Sequence, residues 1–131
     1  MSHFKNFQDL EIYNLARVQC QRIWNLIQET ELKNDYKLRD QINASSGSVM
    51  DNIAEGFGRG GNKEFIQFLA IARGSNNETM AQLQRAYDRK HISEEDFLQI
   101  TKNAEVLGNQ ISKFLNYLKA SEKRGSKFNK K

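Results

Sequence analysis

Residues 93–118 read SEEDFLQITKNAEVLGNQISKFLNYL, and this stretch decides the fold because it carries a helix start and a long apolar seam. Ser93 is followed three residues later by Asp96, a spacing similar to a capping box. The acidic pair Glu94 and Glu95 suits the positive end of a helix dipole. Apolar residues then recur every three or four positions, at Phe97, Ile100, Ala104, Leu107, Ile111, Phe114 and Leu118. Such a seam predicts an amphipathic helix that packs against partner helices.

Three further helices are predicted upstream by the same spacing. The chain has no proline, so few positions can end a helix. We expect helices at about residues 7–30, 35–58 and 63–90, with Asn62 capping the third. Their apolar faces are Leu10, Tyr13, Ala16, Cys20, Ile23, Trp24 and Ile27; Leu38, Ile42, Val49, Ile53 and Phe57; and Phe65, Leu69, Ala72, Met80, Leu83 and Tyr87. Four such helices with short connections predict an all-α, antiparallel up-down-up-down four-helix bundle.

The charge of the chain is concentrated near its end. Residues 119–131 hold six basic side chains against one acidic one, whereas the rest of the chain is close to neutral. At 131 residues the chain fits one domain, with the bundle expected over residues 1–119 and a basic, flexible tail over 120–131. Any attraction for nucleic acid is therefore expected from the tail and not from the body of the bundle.

The composition indicates a cytoplasmic protein without a membrane contact. No apolar run approaches the ~20 residues that span a bilayer, and the first ten residues lack the layout of a secretory signal. The single cysteine, Cys20, cannot form an internal disulfide, which agrees with a reducing compartment. Its position on an apolar helix face predicts a buried small hydrophobe and not a reactive thiol.

No constellation for catalysis, a metal or a cofactor is recognisable. His3 and His91 are far apart, and no group of residues has the spacing of zinc ligands. Residues 56–61, GFGRGG, satisfy G-x-G-x-x-G, but a predicted helix and not a strand precedes them, so they indicate a helix–helix turn. The alternative is a phosphate contact through the exposed amides of this turn, Arg59 and Lys63. We therefore expect a binding or assembly protein that is not an enzyme and holds no cofactor.

Polar rows on the second and third helices form the most informative candidate site. The rows are Gln41, Ser45, Ser48, Asn52, Glu55 and Arg59, and Ala72, Gly74, Ser75 and Glu78. With a turn near residue 60, antiparallel pairing puts Ser45 opposite Ser75 and Ser48 opposite Ala72. Glycine costs about 1 kcal/mol relative to alanine inside a helix, so Gly47 and Gly74 predict close helix packing. The rows form either a hydrogen-bonded layer that sets the helix register or a contact surface for another subunit or ligand.

A second apolar row on the first helix leaves two interpretations open. Ile12, Leu15 and Val18 lie beside the face already described, so this helix offers more apolar surface than one stripe needs. The row is either buried inside the bundle or forms a subunit interface.

Two runs in the middle of the chain carry a family resemblance. The first comprises Leu38 to Ile42, Ser45 to Val49, Asn52 to Gly56 and Arg59; the second comprises Phe65 to Ser75 and Glu78. These runs resemble the signatures of the four-helix-bundle proteins of the 23S rRNA intervening-sequence family. The resemblance implies an antiparallel bundle that assembles as a homopentamer. It also implies architectural or interface roles for Asn52, Glu55, Gly56, Arg59, Ser75 and Glu78.

A related accessory protein of diversity-generating retroelements binds a reverse transcriptase and nucleic acid through a basic surface. The present chain departs from the family pattern at Tyr13, where many members have tryptophan, and in its first connection, which lacks a proline. Both departures concern packing. A third departure, the near-neutral net charge of the bundle, bears on function, because RNA binding relies on Lys and Arg contacts to phosphate.

These observations predict a homo-oligomeric assembly or adaptor protein that binds RNA or a nucleic-acid-processing protein. The expected interface or structural residues are Gln41, Ser48, Asn52, Glu55, Gly56, Arg59, Gly74, Ser75 and Glu78. The expected phosphate contacts are Arg59, Lys63, Lys123, Arg124, Lys127, Lys130 and Lys131. The first alternative is an adaptor that contacts only protein, and the second is a small-molecule-binding or catalytic bundle with an internal pocket.

Overall fold

The computed structural model describes residues 4–129, with side chains described from residue 4 to residue 125. A short 3-10 turn, Phe7–Asp9, precedes four α-helices: α1 (Glu11–Glu29), α2 (Tyr36–Gly58), α3 (Asn62–Asp88) and α4 (Glu94–Asn129). A second 3-10 turn, Glu31–Asn34, joins α1 to α2. Each helix packs against the next one along the chain, and α1 also packs against α4. The predicted four-helix bundle is confirmed.

The start of α4 follows the sequence, whereas the start of α3 differs from the prediction. The backbone N–H of Asp96 donates to Ser93 Oγ at 3.1 Å, so Ser93 caps α4. Asn62 is the first residue of α3, and Gly61 holds the N-cap position without a side-chain bond. The prediction that Asn62 caps α3 is therefore wrong. The extended backbone of Gly61 starts the helix one residue earlier than expected.

The helix α4 extends past residue 119, after which the tail was expected to begin. Leu118 is the last buried side chain of α4 whose environment is described, as a bundle ending near residue 119 requires. The helix nevertheless continues to Asn129, through most of the segment expected to be a flexible tail. Residues 130 and 131 lie outside the described part of the chain. The basic segment is thus largely a helical extension, and its flexibility stays a prediction.

The core consists of two apolar clusters with polar side chains between them. The first cluster, near the α2–α3 turn, contains Leu10, Ile12, Ala16, Val49, Ile53, Phe65, Leu69, Ala72, Leu107, Ile111, Leu115 and Leu118. The second, at the opposite end, contains Ile23, Leu26, Ile27, Leu32, Leu38, Ile42, Leu83, Ala86, Ile92 and Ile100. Between them lies what we call the polar layer: Gln19, Ser45, Ser46, Ser75, Asn76, Thr79 and Gln82. On α1, α2 and α3 the layer separates residues of one cluster from those of the other.

The buried face of α1 is turned about the helix axis relative to the predicted one. Gln19 is buried, whereas Trp24 is 47% exposed and Cys20 is only partly buried. The prediction of a fully buried Cys20 is therefore wrong. The rotation brings Ile12 into the core and packs Leu15 against it, while Val18 stays exposed. Of the second apolar row, Ile12 is thus buried in the bundle, Leu15 is partly buried and Val18 faces solvent. None of the helices, as far as they are described, is apolar enough to cross a membrane.

Candidate functional site

The seam between α2 and α3 brings the two predicted polar rows into contact. Ser48 Oγ and Ser75 Oγ are 2.9 Å apart, and Ser45 Oγ and Thr79 Oγ1 are 2.8 Å apart. Ser45 Oγ also donates to Gln82 Oε1 at 2.6 Å. These bonds are buried or partly buried, so they satisfy polar groups that the helix pair removes from water. The hydrogen-bonded layer is present within the single chain.

The register of the seam is displaced from the predicted one. Ser48 faces Ser75 and not Ala72, and Ser45 faces Thr79 and not Ser75. Helical side chains tilt toward the N-terminus, so on antiparallel helices they move in opposite directions relative to the turn. The observed partners lie three and four residues from the predicted ones, and this tilt accounts for about two of those residues. The predicted pairing was counted from backbone positions on either side of the turn, and such a count does not include the tilt of the side chains.

The outer residues of the seam are held by bonds within α2 and to α3. Asn52 Nδ2 donates to the Ser48 carbonyl oxygen at 2.8 Å and to Ser48 Oγ at 2.9 Å. The Arg59 guanidinium lies 2.8 Å from Glu55 Oε1 and 5.2 Å from the centre of the Phe68 ring. At the far end, Arg85 Nη2 donates to Gln41 Oε1 at 3.0 Å. Of these contacts, those of Arg59 with the Phe68 ring and of Gln41 with Arg85 join α2 to α3, whereas the bonds of Asn52 and Glu55 stay on α2 and its C-cap.

The glycines of the seam do not all behave as expected. An added Cβ at Gly47 or Gly74 would meet nothing within 4 Å, so the prediction of close packing at these positions is wrong. At Gly56 it would lie 2.6 Å from Phe68 Cβ and 2.9 Å from Phe65 Cδ1. The close approach of the helices thus occurs beside the turn, where the first residues of α3 present aromatic rings. Gly74 and Glu78 are exposed.

The polar layer extends from the seam to the other two helices. Gln19 Nε2 of α1 donates to Asn76 Oδ1 at 3.0 Å, and Asn76 Nδ2 donates to the Ala104 carbonyl oxygen of α4 at 2.8 Å. Gly108 leaves room for this amide, because a Cβ there would lie 3.2 Å from Asn76 Nδ2. Gln19 and Asn76 were not among the residues predicted from the sequence. One feature of the sequence could have identified them: each is a polar residue at a position where the recurrence of apolar residues every three or four positions predicts an apolar one.

The glycine-rich segment is a helix–helix turn, as predicted. Gly56 and Gly58 lie in the last turns of α2, and Gly60 has a φ of 83°, a conformation that glycine adopts without strain. The Glu64 side chain reaches back to Gly61, where a Cβ would overlap its carboxylate. A negative charge therefore already lies at the N-terminus of α3, which opposes a phosphate on these amides.

Basic side chains gather at the end of the bundle that holds this turn, which we call the basic end. The Phe65 and Phe114 rings are 5.6 Å apart, so α3 begins beside residue 114 of α4, and the later residues of α4 continue past the turn. Exposed basic side chains here are Arg59, Lys63, Lys119, Lys123 and Arg124. Arg59 is paired with Glu55, and Arg124 Nη2 donates to Ser121 Oγ at 3.3 Å.

Three of the predicted phosphate contacts have no described position. The side chains of Lys127, Lys130 and Lys131 lie outside the described part of the chain. The structure therefore places Lys63, Lys123 and Arg124 at one end of the molecule, together with Arg59. Lys119 belongs to the same set, although the sequence analysis did not select it.

An aromatic cleft adjoins the basic end between the N-terminal segment and α4. Its volume is about 440 Å³, and its lining is Phe4, Asp9, Glu11, Ile12, Gln110, Lys113, Phe114 and Tyr117. The Phe114 ring centre lies 6.3 Å from that of Phe4 and 6.1 Å from that of Tyr117. The cleft is open to solvent, with one acidic rim and apolar aromatic walls.

The opposite end of the bundle is closed by charged contacts around Asp35. Arg89 Nη1 and His91 Nε2 lie 2.8 and 3.0 Å from Asp35 Oδ2, while Asp35 Oδ1 accepts from the Leu38 N–H at 3.4 Å. The bonds from Arg89 and then His91 hold the pKa of Asp35 below its ordinary value. These contacts tie the α1–α2 connection to the α3–α4 connection. Among the described residues, no cluster of three His, Cys, Asp or Glu could hold a metal ion.

Comparisons with known proteins bear on this arrangement of helices. A family model described as 23S rRNA-intervening sequence protein matches residues 8–113. A crystal structure of a protein of unknown function from the S23 ribosomal protein family of Bacteroides thetaiotaomicron is similar, with a TM-score of 0.72 and 24% identity. The match covers 79% of this chain and 97% of that chain, and at this identity it shows the fold alone. No curated protein matches the chain.

Proposed function

The chain belongs to the 23S rRNA-intervening sequence protein family, and on that premise we propose that it is a non-enzymatic protein of the cytoplasm. In this proposal it assembles with copies of itself and contacts RNA phosphates through the basic end. The observation that carries the proposal is the extension of α4 beyond the apolar core, past a turn that bears Lys63. A homopentamer is the stoichiometry that the family resemblance implies.

The helical extension of α4 supports an electrostatic role. A helix rises about 1.5 Å per residue, so residues 119–129 span about 15 Å beyond the core. The described part of this extension carries Lys119, Lys123 and Arg124 against the single acid Glu122. Lysine and arginine held on one helix suit the phosphates of a nucleic acid without reading its sequence.

Exposed small and apolar residues of α3 support self-assembly. Ile71 is 52% exposed, and Gly74, one turn further along the helix, has open space around its Cα. A glycine in a helix interior costs about 1 kcal/mol relative to alanine, and no described atom of the chain packs over Gly74 to offset this cost. A side chain from a second copy that packs over Gly74 would offset it.

The arrangement of the polar layer supports a role without catalysis. Ser45, Ser75, Asn76 and Thr79 hydrogen-bond to partners inside the bundle and not to groups that line the aromatic cleft. A small-molecule or catalytic bundle would aim such groups into an open cavity. The layer therefore fits a structural purpose.

The RNA contact is tested by neutralising charge at each end of the bundle in turn. The test variant combines Lys119→Gln, Lys123→Gln and Arg124→Gln, since glutamine keeps the helix propensity. The matched control combines Lys33→Gln, Lys37→Gln and Lys90→Gln, three exposed lysines at the opposite end. Both variants lose the same charge, so they separate a local contact from the effect of net charge.

We expect the test variant to bind single-stranded RNA more weakly than the control, with a shallower salt dependence. Each lost phosphate contact lowers the slope of log affinity against log salt by about 0.7, so three contacts lower it by up to about 2. Equal affinities and slopes for the two variants would refute the basic end as the RNA contact. An assembled protein that binds no RNA would point to the alternative, an adaptor that contacts only protein.

Self-assembly is tested by the mass of the native particle in solution. The test variant is Ile71→Lys, and the control is Leu98→Lys, because Leu98 is similarly exposed on a different helix. We expect the wild type and the control to remain assembled and Ile71→Lys to dissociate. A monomeric wild type at micromolar concentration would contradict the assembly part of the proposal.

A further inference from the structure

We propose that the aromatic cleft binds one nucleobase of a single-stranded RNA whose phosphates lie along the basic extension of α4. This inference rests on the proposed function and names the form of RNA that the same end of the molecule takes. It is carried by the position of the cleft, the charges on its helix and the acids on its rim.

The walls of the cleft suit a flat aromatic ligand. Tyr117 is 50% exposed, although its ring packs edge-on against Phe114, with an angle of 87° between the rings. Phe4 forms a second aromatic surface beside Phe114. The volume of about 440 Å³ lies within the range of about 300–1,000 Å³ usual for ligand clefts. A base can therefore stack on an exposed ring without displacing the apolar core.

The same face of α4 supplies positive charge on both sides of Tyr117. Lys113 precedes Tyr117 by four residues and Arg124 follows it by seven, so all three side chains leave the helix in similar directions. Among the described side chains, Lys113 makes no ion pair, although it lines the cleft. An aromatic ring between cations is the arrangement with which proteins bind the bases and phosphates of single strands.

The acidic rim determines which part of the nucleotide enters. Asp9 and Glu11, from the N-terminal segment and the start of α1, are the acidic side chains that line the cleft. Asp9 Oδ2 already accepts from the backbone N–H groups of Lys5 and Asn6, at 3.1 Å each, so it is held in place. A phosphate in the cleft would meet these carboxylates, whereas the amino groups of a base can donate to them. The base therefore enters the cleft, and the phosphates stay on the basic face.

This geometry favours single strands over duplexes. In a double helix the face of each base is stacked on its neighbours and its pairing edge is occupied. Only an unpaired base can turn out onto Tyr117 while the adjacent phosphates reach Lys113 and Arg124. The cleft thus predicts a preference for single-stranded RNA that the charges alone would not produce.

The test compares substitutions of two exposed tyrosines. The test variant is Tyr117→Leu, Tyr117→Phe restores the ring, and Tyr36→Leu is the control, because Tyr36 is exposed at the opposite end of the bundle. Each full-length variant is titrated with a single-stranded RNA and with a duplex of the same sequence across salt concentrations. A 2-aminopurine in the single strand reports stacking through its fluorescence, and thermal unfolding verifies the fold.

We expect Tyr117→Leu to weaken single-strand binding about fivefold to 30-fold, with an unchanged salt slope and unchanged duplex binding. Quenching of 2-aminopurine should persist in Tyr117→Phe and Tyr36→Leu and be lost in Tyr117→Leu. One outcome would refute base binding in the cleft and leave the proposed function standing. In that outcome Tyr117→Leu binds single strands with unchanged affinity, whereas neutralisation of Lys119, Lys123 and Arg124 weakens binding. An equal loss of affinity for single strands and duplexes in Tyr117→Leu would also refute the insertion of a base into the cleft. A wild type that binds no RNA would overturn both.

Discussion

Replacing Gly56 by alanine gives the sharpest test of the packing at the α2–α3 turn. The new Cβ would lie 2.6 Å from Phe68 Cβ and 2.9 Å from Phe65 Cδ1, whereas carbon atoms pack at about 3.5–4.0 Å. Phe68 Cβ is bonded directly to the backbone, so it cannot swing away, and α2 and α3 must separate by about 1 Å. The matched control is Gly47→Ala in the same helix, where the added methyl group meets nothing.

The two substitutions should change stability in opposite directions. Alanine raises helix propensity by about 1 kcal/mol at both sites. At Gly47 this gain is the whole effect, and for a chain of this length it raises Tm by about 3–4 °C. At Gly56 the overlap involves an atom bonded to the backbone, so we expect an overpacking cost of about 2–3 kcal/mol, the upper part of the usual range, and a net loss of about 1–2 kcal/mol.

Thermal and urea unfolding at one protein concentration measure both changes, since assembly makes apparent stability depend on concentration. If Gly56→Ala were as stable as Gly47→Ala, the close approach beside Phe68 would not exist in solution. The account of the turn would then be wrong.

Three further predictions concern the end of α3, Asp35 and the polar layer. Lys90 has a φ of 60° at the end of α3, so Lys90→Gly should add about 0.5–1 kcal/mol to the free energy of unfolding, while Lys90→Ala should add none. Because the pKa of Asp35 is lowered in the folded chain, its ion pair with Arg89 stabilises the fold at neutral pH, and this stabilisation is lost as the pH falls through that lowered pKa. Asp35→Asn, which keeps an acceptor at the helix cap, should therefore cost up to about 1 kcal/mol at pH 7, and progressively less in urea titrations as the pH falls below the ordinary aspartate pKa of 3.8. Asn76→Leu should cost about 1–3 kcal/mol because it leaves the Gln19 amide unpaired, and adding Gln19→Leu should recover most of that loss in a double-mutant cycle.

The sequence predicted the helices well because their ends carry local signals. The second helix was expected at about residues 35–58 and runs over Tyr36–Gly58, since Asp35 caps one end and glycines weaken the other. The capping position of Ser93 was equally readable. The extension of α4 to Asn129 was not, because a polar, lysine-rich segment without an apolar face reads the same whether it is helical or disordered.

The candidate site could be predicted only in part. The pattern of one helix shows which residues share a face, but not how far the helix is rotated against its neighbours. Cys20 and Trp24 were therefore placed in the core, while Gln19 was overlooked. Similarly, Gly74 and Gly56 look alike in the sequence, and only the arrangement of α2 and α3 shows that Gly56 packs against aromatic side chains. The aromatic cleft joins Phe4 to Tyr117, a separation that no local pattern reveals.

The polar layer has a consequence for misfolding. In a bundle of repeated heptads, the misfolded state closest in free energy to the native one has a helix shifted by seven residues, because its apolar positions then coincide again with those of its neighbours. Here such a slip would move Asn76 into the place of Leu69 or Leu83, and Gln19 into that of Ile12 or Leu26. Each stranded amide would cost about 1–3 kcal/mol. A few buried amides thus make the slipped alignments of this chain unfavourable, whereas an all-leucine core would leave them nearly equal to the native one.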